Sequence, residues 1–83
     1  MKSSTSASFR KQFGELPPEV RRLARKQFRL WLEDHWHPSL HFKRVGSYWS
    51  ARVDRNYRAL GVENDGRIVW FYIGKHDGYE KRI

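Results

Sequence analysis

The sequence predicts an α+β domain: two N-terminal antiparallel helices packed on a four-stranded, mainly antiparallel sheet. Three observations carry this. Apolar residues recur at helical spacing from Phe9 to Leu32. Short alternating or apolar runs follow between Leu40 and Ile73. Pro17-Pro18, Gly46-Ser47, Arg55-Asn56 and Asn64-Asp65-Gly66 punctuate them as turns.

Residues 1–8, MKSSTSAS, lack an apolar core and read as a flexible tail. Residues 9–83 make one domain. Phe9, Phe13 and Leu16 give a short first helix that Pro17-Pro18 ends. Pro18 suits the first turn of a second helix, and Glu19 complements its dipole. That helix is expected to run to about Asp34, with Val20, Leu23, Ala24, Phe28, Trp31 and Leu32 as its apolar stripe. Arg21, Arg22, Arg25, Lys26 and Arg29 cover its remaining surface.

The first strand is expected at Leu40 to Val45. In the second, Tyr48 to Asp54, Trp49, Ala51 and Val53 share one face; Tyr48, Ser50 and Arg52 share the other. The third is Tyr57 to Val62, with Arg58 and Leu60 facing opposite to Tyr57 and Ala59. Asn64-Asp65-Gly66 is a hairpin turn. The fourth, Arg67 to Ile73, includes an unbroken apolar run from Ile68, expected of a strand buried on both faces. The helices cover one sheet face. The other is expected to be a basic surface bearing Ser50, Arg52, Arg58 and the His76 end. Glu80 to Ile83 reads as a last helical turn.

Seventeen Lys and Arg against nine Asp and Glu give a net charge of +8. That balance favours a polyanionic partner, a nucleic acid or an acidic protein segment. The chain has no cysteine, which excludes disulfides and thiolate metal sites and suits a reducing cytoplasm. No apolar run approaches the ~20 residues of a membrane span. No P-loop, Ser-His-Asp spacing or dinucleotide fingerprint is present. His35, His37 and His41 lack the carboxylate or thiol spacing of a metal site, and none is expected.

Arg52 and Arg58, on neighbouring strands and facing the same way, have the forked geometry to clamp a phosphate. The bland alternative is a solvated sheet face. His76, just after the glycine that ends the apolar strand, can exchange a proton near neutral pH. Tyr79 can stack on a base.

Phe9-x-x-x-Phe13-x-x-Leu16-Pro17, His37-Pro38-Ser39-Leu40, Tyr48-Trp49-Ser50-Ala51-Arg52-Val53, Tyr57-Arg58-Ala59-Leu60 and Ile73-Gly74-Lys75-His76-x-x-x-x-Lys81 occur in that order. Over residues 9–83 the chain resembles the RelE/ParE superfamily of type II toxin–antitoxin toxins, on its RelE, YoeB, YafQ and HigB-like side. The resemblance implies the RelE-like microbial ribonuclease fold and a metal- and cofactor-independent endoribonuclease. The mRNA is cut in the ribosomal A site by attack of a ribose 2′-hydroxyl on the adjacent phosphate. A cognate antitoxin is the implied protein partner.

By position, the resemblance assigns Arg58 and Arg52 to the reactive phosphate, His76 to acid or charge stabilisation, and Tyr79 to stacking or 2′-hydroxyl activation. Lys43, Arg44, Lys75 and Lys81 are expected on RNA phosphates. The glutamate base of YoeB-like members has no counterpart, which leaves His37, His41 or Tyr79 for that role. The opening strand of the fold is not evident before Phe9. A ParE-like toxin that binds DNA gyrase and cleaves nothing is the alternative. A non-catalytic nucleic-acid or antitoxin-binding module is a further one.

Overall fold

A computed structural model describes residues 2–75. The order is β1 (Lys2–Thr5), α1 (Ala7–Gly14), α2 (Pro18–Glu33), a 3₁₀ turn (Pro38–Leu40), β2 (Lys43–Val45), β3 (Tyr48–Arg52), β4 (Tyr57–Asn64) and β5 (Arg67–Lys75). The strands form one mixed sheet in the order β1-β5-β4-β3-β2, five strands where the sequence suggested four. The added strand is β1, which lies parallel to β5 and pairs Lys2 with Arg67 and Thr5 with Trp70. The expected flexible tail is therefore a sheet edge. The outer edge of β5 continues to be satisfied beyond β1 by residues of α1 and its cap. Ser6 N donates to Trp70 O at 2.9 Å, Ser8 Oγ to Phe71 O at 3.2 Å, and Ile73 N to Gln12 Oε1 at 3.1 Å.

Ser6 caps α1 by accepting from Phe9 N at 3.1 Å, so the helix starts before Phe9. α2 opens on Pro18 as expected and ends at Glu33, where Asp34 Oδ1 accepts from Trp36 N. Leu40 is not in a strand. Pro38 opens a 3₁₀ turn there, and His41, at φ 44°, swings the chain into β2.

The main core lies between the helices and the sheet. Trp31 of α2, 1% exposed, sits at its centre, edge-on to Trp70 at 5.6 Å and to Phe42 at 5.7 Å. A register shift at Leu60/Gly61 leaves Phe71 as an extra residue on β5. Ile68, Trp70 and Ile73 then belong to the helix-side core, while Tyr72 and Phe71 join Leu60 and Val45 in a second cluster. This accounts for the unbroken apolar run: both faces of β5 are packed. Gly61 is required at the shift, since a Cβ there would lie 2.6 Å from Ile68 Cγ2.

The second cluster also corrects the expected basic face. Leu60 and Ser50 are both 0% exposed on the side away from the helices, so that face is apolar through its middle and basic at one end. Glu80 to Ile83 lies outside the described residues.

Candidate functional site

The basic end is built by register. Ser50 pairs with Leu60, Ala51 with Ala59 and Arg52 with Arg58. The two arginines are thus direct cross-strand partners on one face, at spacings of ~4.5–5.5 Å between Cβ atoms for such pairs. Both are half-buried, and Nη1 of Arg58 is itself buried.

The turn that joins their strands fixes this pairing. Asp54 Oδ1 accepts from Asn56 N at 2.7 Å and from Tyr57 N at 2.8 Å. Val53 N and Asp54 N both donate to Tyr57 O, at 3.0 and 3.2 Å. Gln27 of α2 reaches in from the helix layer, its Nε2 donating to Arg52 O at 3.1 Å.

His41 stands beside the pair, its Nε2 3.5 Å from Arg52 Nη1. The Nδ1 of His37 accepts from Ser39 N at 3.2 Å and so caps the 3₁₀ turn. Of the two histidines the sequence left open as a base, His41 is the one beside the arginines.

Lys43 is exposed on β2 opposite Ser50 and so shares the arginine face. Arg44 does not. It pairs with Trp49 on the helix-side face, lies 5.4 Å over the Trp49 ring and is 4.0 Å from Glu63. Lys75 pairs with Tyr57, and strand alternation turns it away from Arg58 as well. His76, Tyr79 and Lys81 lie outside the described residues.

Two residues of the site were not singled out from sequence. Asp54 is one, although an Asp two residues before the second turn position is a recognisable turn signal. Tyr72 is the other. Arg58 pairs with Gly74, and the Tyr72 ring lies over that glycine: a Cβ on Gly74 would be 2.6 Å from the Tyr72 hydroxyl oxygen. The hydroxyl donates to Lys75 O at 3.1 Å, tying down the end of β5 beside the arginines. Counting alternate residues back from Gly74 finds Tyr72 on the Arg58 face.

Among the described residues, no group of three or more His, Asp or Glu side chains is placed to hold a metal. No described helix is long and apolar enough to cross a membrane.

The fold recurs in solved toxin structures. A chain of the RelB–RelE antitoxin–toxin complex from Methanococcus jannaschii superposes with a TM-score of 0.73 at 14% identity, covering 95% of this chain and 96% of that one. The YoeB/ParE toxin from Agrobacterium tumefaciens gives 0.70 at 14% identity, covering 92% and 99%. YafQ from E. coli gives 0.62 at 13%, covering 94% and 96%. No curated protein matches in sequence. The model of the ParE-like toxin domain matches residues 18–81, most of the chain. The chain belongs to the ParE-like toxin domain family.

Proposed function

We propose that this toxin is an mRNA endoribonuclease that acts in the ribosomal A site, and that a cognate antitoxin holds it in check. The observation that supports the reading is the Arg52–Arg58 cross-strand pair. Two guanidinium forks on rigid neighbouring strands can hold one phosphate from two directions and meet the negative charge that develops on its oxygens. The nucleophile belongs to the RNA, whose 2′-hydroxyl has only to be held in line with the leaving 5′-oxygen. The reaction forms an O–P bond to the 2′-oxygen, breaks the bond to the 5′-oxygen and leaves a 2′,3′-cyclic phosphate. No metal is needed for those steps.

His41, beside Arg52, is the base candidate among the described residues. His76 and Tyr79 keep the roles that the sequence resemblance gives them: acid or charge stabilisation for His76, and stacking or 2′-hydroxyl activation for Tyr79. General acid–base help of this kind contributes ~10²–10⁴-fold. The antitoxin partner is supported by similarity to chains of toxin–antitoxin complexes.

The ParE-named family model favours one second reading, inhibition of DNA gyrase without RNA cleavage. Purified protein added to mRNA-programmed ribosomes, and separately to a gyrase supercoiling reaction, distinguishes the two. The proposal expects A-site cuts with cyclic-phosphate ends. Gyrase inhibition with intact mRNA overturns it.

A further inference from the structure

Gln27 is a polar residue on the core side of α2. It stands three residues after Ala24 and four before Trp31, both buried, and so shares their side of the helix. A half-buried amide at such a position needs partners, since burial without a hydrogen bond is costly. Its Nε2 carries two donor hydrogens. It donates to Arg52 O at 3.1 Å and lies 3.5 Å from Ser39 O. One side-chain amide thus reaches from the helix layer to the end of β3 and to the 3₁₀ turn.

Both carbonyls are open to it because the sheet ladder stops short. β2 begins at Lys43, opposite Ser50, so Arg52 extends past the last β2 pair. Continued two residues further, the same register would set His41 opposite Arg52. His41 instead takes the left-handed conformation, φ 44° and ψ 43°, which ends the ladder. A non-glycine residue in that region persists only where its surroundings fix it. Arg52 is fixed by its pairing with Arg58 and by the Asp54 turn. Among the described residues, the 3₁₀ turn pairs with no strand. Packing is open on its Gln27 side, where Leu40, Gln27 and Arg52 all border an apolar cavity of about 440 Å³. The Gln27 amide is a polar tie between the backbone of that turn and the backbone of β3.

We propose that Gln27 is a positioning residue for RNA cleavage: by tying the 3₁₀ turn to β3 it holds the His41 imidazole beside Arg52, with Nε2 3.5 Å from Arg52 Nη1. This rests on the ribonuclease reading and on His41 as its base. Gln27 acts on main-chain carbonyls and takes no part in the proton transfer itself. It sets where the His41 nitrogen stands when it takes the proton of the attacking 2′-hydroxyl.

The test is a mutant cycle of single-turnover cleavage on mRNA-programmed ribosomes, with the parent, Gln27→Met, His41→Ala and the double variant. Methionine keeps the length of the side chain and removes both donors. Gln27→Met is expected to lower the rate on the order of 10²-fold, the cost of a ~1 Å misplacement. The ribosome concentration that gives half the maximal rate should not change. In the His41→Ala background the same substitution should cost less than about twofold, the scatter of such cycles. Histidine ring resonances give a readout that needs no cleavage. In Gln27→Met the His41 signal should move by more than its width, while that of His35, packed on Trp31 at 4.2 Å, stays in place.

A parent-like rate for Gln27→Met overturns the assignment. So does an equal loss in both backgrounds, because Gln27 then acts through Arg52 or through the fold at large. A His41 signal that does not move, or histidine signals that all move together, overturns it as well. A His41→Ala variant that cleaves like the parent removes the base and this inference with it, while the arginine pair is judged on its own variants. If the parent cuts no mRNA, the ribonuclease reading fails and this role with it, whatever the histidine signals show.

Discussion

Arg52 and Arg58 face each other directly across β3 and β4, and the Asp54 carboxylate holds the turn that sets them in register. Like charges directly opposed in a sheet are destabilising. Removing one of the two charges removes that repulsion. Replacing Arg52 by Gln is expected to leave stability unchanged or raise it by a few tenths of a kcal/mol, ~0.2–1 at most, while lowering cleavage. Chemical denaturation and a cleavage assay on the same preparation check both halves.

Asp54→Ala is expected to act through the turn. It removes the acceptor of two backbone N–H groups, at a cost of about 1–3 kcal/mol. Cleavage should fall as well, because the pair loses its fixed register. Asp54→Asn, which keeps an acceptor oxygen, should recover most of the stability. Equal losses for both variants would show that the hydrogen bonds are not what matters.

Ser50 gives a change of opposite sign. Its hydroxyl is fully buried and has no hydrogen-bond partner among the described residues. A buried hydroxyl without a partner costs ~1–3 kcal/mol, so Ser50→Ala is expected to raise the denaturation midpoint.

Gly74 and Tyr72 should be coupled. Gly74→Ala brings a Cβ to 2.6 Å from the Tyr72 hydroxyl oxygen and 2.9 Å from Cζ, and the ring must move. Overpacking of this kind costs typically ~1–3 kcal/mol. In a Tyr72→Ala background the penalty should largely vanish, giving a coupling energy within the ~0.5–3 kcal/mol seen for contacting residues. A double-mutant cycle by urea denaturation measures it.

Much of the fold was legible because periodicity and turns are local. Pro18 opening α2, the two Gly turns and the facing of Arg52 and Arg58 all follow from sequence spacing. β1 was not legible. Lys2-Ser3-Ser4-Thr5 carries no apolar alternation, and its strand depends on the backbone of β5, far away in sequence. Leu40 was misplaced because Pro38 and a left-handed His41 decide that segment locally, against its strand-like appearance.

For the site, same-face logic put Arg52 and Arg58 together on one face, as the register has them. It did not separate them from Arg44, which alternation sends to the Trp49 face. Tyr72 was hidden in the apolar run of β5, although its two-residue spacing from Gly74 puts it on the Arg58 face. Asp54 was read as part of a strand, and its role appears only in the hydrogen bonds that close the turn.

The central claim is that the opposed arginines act on the scissile phosphate. Its most direct test is the single-turnover rate of mRNA cleavage on programmed ribosomes, measured for the parent, Arg52→Ala, Arg58→Ala and Arg58→Lys. Loss of a preorganised donor to a developing anion costs ~10²–10³ in rate. Losses of that size are expected for both alanine variants. A large residual loss is expected for Arg58→Lys, which keeps the charge but not the fork. Cleavage by both alanine variants at rates within about threefold of the parent, far short of that loss, would contradict the claim.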